Sequence, residues 1–253
     1  MDQAFVTELE KTLTLVLSPD NAAIKQATNT LKTQFYTNPL AFPALIQILQ
    51  TSQNTGVQQL AAVEAKKLVA TKWEESDPAL KQSIRDSLLQ FAFTAPNKNI
   101  RHSTARIISA ISEIDIANNS WPNLLESLVA AATDANQQTR EMAVFTLYCI
   151  LETFPLEWLK HTDSFLSLFS NTLQDAASFE VQVTSVSALD VIATYIDEDD
   201  ELKNQLAAPF VALLPKMLVV LKTSLSQDDT DKTKELFSSF NSFVLLDIKL
   251  LET

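Results

Sequence analysis

Apolar residues recur along the chain at intervals of three and four, and short polar clusters rich in Asn, Asp, Ser and Pro interrupt them. This spacing predicts helices over about 2–17, 20–37, 40–52, 55–75, 78–94, 98–115, 121–133, 136–154, 156–175, 178–197, 201–226 and 229–252. Twelve such helices fall into six antiparallel pairs.

The second members of the pairs share one pattern when the sequence is laid on itself. Val57, Ile100, Thr139 and Val181 are equivalent, with successive gaps of 43, 39 and 42 residues. Four residues on stand Ala61, Thr104, Ala143 and Ser185, all small. Four more bring Ala65, Ile108, Leu147 and Leu189, and three beyond these are Leu68, Ile111, Ile150 and Ile192. The small residue gives a helix flanked by its mate and its neighbours a point of close approach, while the aliphatics fill the seam. A period of about 40 residues with two helices per repeat is the HEAT or armadillo signature, and the expected fold is an all-α HEAT-repeat solenoid, a right-handed superhelical arch of antiparallel helix pairs across residues 1–253. The first pair fits loosely, through Ala23, Ala27 and Leu31, as a terminal cap would. The sixth is pushed out of period by IDEDDELKNQ and the long helix beside it. Its last segment, ELFSSFNSFVLLDIKLLET, is apolar to the end without a glycine cap or polar closing face. That pattern leads us to expect a chain cut from a longer solenoid.

Composition sharpens this picture. Gly56 is the only glycine in 253 residues, which argues against the tight hairpins, Rossmann turns and P-loops that need positive φ. A net charge of −12 disfavours nucleic acid and anionic membranes as direct partners. It suits basic partners, or serves solubility alone. Cys149 has no second cysteine to pair with and sits in the apolar VFTLYCILETF, as a small core residue of a reducing compartment would. The opening MDQAFVTELEKTLTLVL carries Asp2, Glu8, Glu10 and Lys11, unlike a signal peptide, and even VALLPKMLVVL falls short of the roughly 20 apolar residues of a membrane span. A soluble chain is expected.

Parts for catalysis are scarce. His102, beside Arg101, and His161, after Lys160, read as surface or capping residues. No His or Cys pair has zinc-ligand spacing, and neither a G-x-S-x-G elbow nor an H-E-x-x-H helix is present. The run Asp197, Glu198, Asp199, Asp200, Glu201 has carboxylates for Ca²⁺ but no loop glycine, so a solvated junction that feeds negative charge to the next helix N-terminus is the better reading. We expect no enzyme, no metal and no cofactor.

Several segments resemble, in order and spacing, the amino-terminal repeats of the importin-beta (karyopherin-beta) family. QFYTNPLAFPALIQIL is similar to the loop and proline that lead into the family's second repeat. QLAAVEAKKLVATKW is similar to its small residues, basic pair and tryptophan, here Lys66, Lys67 and Trp73. NIRHSTARIISAIS, then WPNLLESLVAAA with Trp121 and Pro122, and then TREMAVFTLYCILETF continue the order. The resemblance covers roughly residues 20–155, with an importin amino-terminal region near 20–115, and is strongest to the beta-four branch of the family. Two positions depart from it: Thr139 lacks a basic residue, leaving Arg140 beside it as the charge, and Glu64 interrupts an apolar turn.

The resemblance implies a nuclear transport receptor that moves between cytoplasm and nucleus through the nuclear pore, whose second helices line a concave face that receives Ran-GTP. It also implies basic cargo such as ribosomal proteins or histones, and Phe-Gly nucleoporins. By that resemblance the Ran-binding candidates are Gln58, Lys66, Lys67, Arg101, Arg106, Arg140 and Glu141, taken as exposed positions flanking the stripe. Phe165, Leu166, Phe169 and Phe210 are nucleoporin-binding candidates, although core packing explains phenylalanines more often. A HEAT-repeat scaffold or adaptor subunit without Ran binding is the rival reading.

Overall fold

The computed structural model describes residues 2–153, 161–198 and 200–251. Among these, all regular structure is helical. The chain divides into two compact units, Met1–Ser120 and Trp121–Thr253.

The first unit holds three pairs: α1 (Gln3–Val16) with α2 (Asn21–Thr30), α3 (Ala41–Thr51) with α4 (Thr55–Lys72), and α5 (Pro78–Thr94) with α6 (Lys98–Ala117). Beyond pairing, α1 packs on α3, α3 on α5, and α4 on α6, so α1, α3 and α5 form one layer and α4 and α6 another. Lying between these neighbours, α3 buries Phe42, Leu45, Ile46, Ile48 and Leu49. Phe42 meets the indole of Trp73 edge to face, centroids 5.9 Å apart.

The second unit comprises α7 (Leu124–Ala131), α8 (Gln137–Thr153), α9 (Thr162–Thr172), α10 (Phe179–Glu198), α11 (Asp200–Val211), α12 (Leu214–Ser226) and α13 (Thr230–Leu251). Here α8, α10 and α13 stack in succession, with α7 on α8, α9 on α10, and both α11 and α12 on α13.

The repeated stripe is the buried seam of both units. Ala61, Thr104, Ala143 and Ser185 are all fully buried, and so are Ala65, Ile108, Leu147 and Leu189. Thr139 is the one half-buried member of the set. The hydroxyls at the small position are satisfied within the seam, Thr104 donating to the Ile100 carbonyl at 2.8 Å and Ser185 to the Val181 carbonyl at 2.7 Å.

Two expected helices differ in form. The one expected over about 201–226 is bent by 43° between α11 and α12. Pro215 stands in the first turn of α12, where a missing N–H costs nothing, and so it starts a new helix after Leu213. The one expected over about 20–37 ends in a π turn, Leu31–Phe35, closed by the Tyr36 N–H on the Leu31 carbonyl at 2.9 Å. The acidic run lies where α10 meets α11, as expected of a junction. Asp199 is outside the described residues, as is the expected helix start at 156–160. No single described helix is long and apolar enough to cross a membrane.

Candidate functional site

Each of the four in-period second helices begins in the same way. A cap residue three positions before the stripe accepts the stripe residue's own N–H: Asn54 from Val57 and Asn97 from Ile100, both at 3.3 Å, Asn136 from Thr139 at 3.1 Å, and Ser178 from Val181 at 3.2 Å. This satisfies donors that a helix start leaves open.

The residue just after the stripe position then reaches backwards. Gln58 donates to the Leu49 carbonyl at 3.0 Å. Arg101 donates to the carbonyls of Ala95 at 2.9 Å and Pro96 at 3.1 Å, and Arg140 repeats this on Asp134 at 2.9 Å and Ala135 at 3.1 Å. Gln182 donates to the Asp175 carbonyl at 2.9 Å. These carbonyls close the preceding helix or its turn, so this position ties the two members of a pair together.

That arrangement corrects the expectation that Gln58, Arg101, Arg140 and Glu141 are outward-facing. Arg101 is only 7% exposed. Gln58, Arg140 and Glu141 are half-buried. Arg140 also grips the Asp175 carboxylate with two nitrogens, at 2.7 and 3.2 Å. Glu141 accepts from Gln137 at 2.8 Å and from the buried Ser178 hydroxyl at 2.7 Å. Burial pushes the Asp175 carboxyl upward, yet the hydrogen bond from Arg140, the N–H of Ala177, the guanidinium charge and the N–H of Ser178 together hold it below the usual range. The hydrogen bond to Asp175 correspondingly raises the Arg140 guanidinium.

The phenylalanine candidates also need correction. Phe165, Phe169 and Phe210 are buried in the core of the second unit, the first two in contact at 6.0 Å between centroids, and Leu166 is half-buried. His161 is exposed at the start of α9 without a side-chain capping bond, and His102 is half-buried. Among the described residues, no three His, Cys, Asp or Glu side chains cluster as metal ligands would.

Three candidates do come together. Lys66 and Lys67 on α4 and Arg106 on α6 are exposed and line one groove of about 1000 Å³ between these helices. Its lining is mainly apolar, with Val63, Val69, Ala70, Ala110 and Ile114, and also includes Glu74 and Glu113. Val63, 49% exposed, is a large apolar side chain held open to solvent there. A mainly apolar lining with mixed charges suits a protein partner.

The α4–α6 spacing is held by a buried polar cluster behind the groove. Asp115, on the inner side of α6, accepts from the Trp73 indole N–H and from Arg85, both at 2.8 Å. The Arg85 guanidinium lies 5.4 Å from the Trp73 ring centroid. A tryptophan six residues after Lys67 therefore serves the scaffold, and the two lysines serve the surface. The signal that separates them is phase along the helix.

Glu64, the departure in an apolar turn, belongs to the site as well. Its carboxylate accepts from the Tyr36 hydroxyl at 2.9 Å and pairs with Lys67 at 2.7 Å. The sequence alone marked it only as an anomaly.

Residues 27–94 match the family described as Importin-beta N-terminal domain, and residues 96–244 match IPO5-like, TPR repeats. The chain is 37% identical over 245 residues to the Probable importin subunit beta-4 of Schizosaccharomyces pombe, an alignment covering 97% of this chain and 22% of that protein. It is 26% identical over 224 residues to Importin-4 of Mus musculus, covering 87% of this chain and 20% of the relative. The chain thus spans about a fifth of the length of these relatives. Among solved structures, that of Kap121p bound to RanGTP superposes with a TM-score of 0.75 at 25% identity, over 99% of this chain and 23% of that one. Kap121p bound to Nup53p superposes with a TM-score of 0.74 at 22% identity, over 97% and 23%.

Proposed function

This chain belongs to the importin-beta family, and we propose that it works as the amino-terminal part of a nuclear import receptor whose α4–α6 groove receives Ran-GTP. The observation that carries this reading is the convergence of Lys66, Lys67 and Arg106 on one mainly apolar groove, in a chain whose net charge is −12. Exposed cations in an apolar groove speed and orient docking on an acidic or polar surface, and the apolar lining supplies the burial that holds it. Support comes from the similarity to a karyopherin solved with RanGTP. Gln58, Arg101, Arg140 and Glu141 enter this reading as the tethers that shape the face, not as contacts.

The same reading makes basic proteins such as ribosomal proteins or histones the cargo, since the overall acidity favours them, and has the receptor shuttle between cytoplasm and nucleus. Phe-Gly nucleoporins remain partners of the receptor through surfaces other than Phe165, Phe169 and Phe210, which are core residues.

The test is binding to immobilised Ran loaded with a non-hydrolysable GTP analogue or with GDP. The wild-type chain is expected to bind the GTP form selectively. Reversal of Lys66 and Lys67 to Glu together should weaken it by about 1–3 kcal/mol with an unchanged circular dichroism spectrum. Absence of nucleotide-selective binding at micromolar protein would favour a HEAT-repeat scaffold without Ran.

A further inference from the structure

The two adjacent lysines of the groove are not equivalent. Glu64 is largely shielded from water, its side chain 13% exposed, while Lys67, which it holds at 2.7 Å, is 62% exposed. The second carboxylate oxygen of Glu64 is occupied by the Tyr36 hydroxyl at 2.9 Å. Lys66, one residue earlier, makes no ion pair among the described residues and points into the same groove.

The hold on Glu64 begins in the first pair, from which Tyr36 reaches it. Leu31 and Phe35 are buried at 4% and 6% exposure, with Phe35 set edge to face against Phe5 at 5.3 Å between centroids. The wide turn closed by Tyr36 on Leu31 adds a residue and brings the phenol onto α4. Such π turns recur at functional positions because they re-aim a side chain at a cost in regular hydrogen bonding. Burial, then the Glu64 hydrogen bond and charge, keep the Tyr36 hydroxyl protonated far above its ordinary range, so it acts as a fixed donor.

Resting on the Ran reading of the groove, we infer that Glu64, held by Tyr36, is an intramolecular competitor for Lys67, so that Lys66 is the lysine that contacts the partner's carboxylates. Glu64 is then a positioning residue that sets affinity. A partner carboxylate reaching Lys67 must displace or share with one that is already desolvated and anchored, whereas Lys66 has only water to lose. Glu74 and Glu113 stand in the same groove, so its charge is nearly balanced and one further committed lysine changes the contrast between partners.

The experiment measures Ran-GTP affinity for Lys66→Ala and Lys67→Ala, each in the wild-type chain and in Glu64→Gln. Lys66→Ala is expected to weaken binding by about fivefold or more and Lys67→Ala by less than about twofold, the range of peripheral charge contacts. Glu64→Gln should tighten binding by about threefold and make Lys67→Ala as damaging as Lys66→Ala, a coupling that a merely structural role would not produce. Equal losses for the two lysines in the wild-type background, or weaker binding by Glu64→Gln, overturn the inference while leaving the Ran reading intact. A second measurement needs no partner: ¹⁵N relaxation of the side-chain ammonium groups should find Lys67 more ordered than Lys66, and equally mobile in Glu64→Gln. Equal mobility in the free wild-type chain overturns the inference whatever Ran does. Loss of all nucleotide-selective binding with the relaxation contrast preserved sinks the Ran reading, and with it the assignment of Lys66 as the contact.

Discussion

Replacing Asp115 by Ala tests what holds α4, α5 and α6 together behind the groove. Asp115 is 3% exposed and accepts two hydrogen bonds of 2.8 Å, one from neutral Trp73 and one from Arg85, whose side chain is 8% exposed. Its removal takes the 2.8 Å carboxylate contact away from the Arg85 guanidinium in a site closed to water, and takes the same acceptor from the Trp73 indole N–H. Breaking a buried pair from one side costs about 3–5 kcal/mol, and the orphaned neutral donor alone accounts for about 1–3 of that. With a urea dependence of about 2 kcal/mol per molar, the midpoint should fall by about 1.5–2.5 M. Urea titration followed by tryptophan fluorescence is the assay, because Trp73 reports on this unit directly. The double variant Arg85→Leu with Asp115→Ala removes the charge imbalance and keeps only the indole defect, so it should recover to within about 1–3 kcal/mol of wild type. A single variant that loses less than about 1 kcal/mol, or a double variant less stable than the single, would refute the claim that loss of the Arg85–Asp115 pair dominates.

Other expectations follow from the seam and its tethers. Leu147→Ala should cost about 2–5 kcal/mol in denaturant unfolding through the cavity it opens in α8, where Leu147 is fully buried, whereas Lys66→Ala should leave the midpoint unchanged. Arg140→Met should cost about 1.5–3 kcal/mol at pH 7 through its charged hydrogen bonds to Asp175. Because Asp175 titrates lower in the folded chain than its ordinary 3.8, its stabilisation is complete above about pH 4 and is lost as pH falls through the folded value. The gap between wild type and Arg140→Met should therefore narrow on acidification below pH 4, and a gap that stays constant from pH 7 to 3 would count against the pairing.

The fold was legible because burial enforces periodicity. Val57, Ile100, Val181 and their followers are buried as the repeat predicts, since a second helix between neighbours can admit only small or aliphatic groups along that line. Gly56 bore out less. It has no positive φ, and among the described residues the left-handed positions are instead Asn119, at φ 50°, and Asp228, at φ 55°. Short polar side chains tolerate that region, so glycine scarcity restricts left-handed turns less than expected. The site was legible in part. Lys66, Lys67 and Arg106 lie on the groove, but Arg101 and Arg140, also charged and beside the same stripe, are tethers. Periodicity marks the face a residue sits on and not how far a long side chain folds back onto carbonyls five or six residues earlier. Glu64 needed its partner from another pair, Tyr36, 28 residues away, which no local pattern contains.

The backward-reaching donors also bear on how the chain acquires its structure. Each spans only five to nine residues, from Gln58 to Leu49, Arg101 to Pro96 and Ala95, Arg140 to Ala135 and Asp134, and Gln182 to Asp175. Closing a loop of about ten residues takes roughly 10–100 ns. Each of these four pairs therefore carries its own closure and can finish its turn before the next has left the ribosome, at about 5–20 residues per second. Growth by addition of closed pairs makes folding of these repeats a sequence of local steps, while the packing of one pair on the next and the long-range bonds from Tyr36 to Glu64 and from Trp73 to Asp115 wait for more chain.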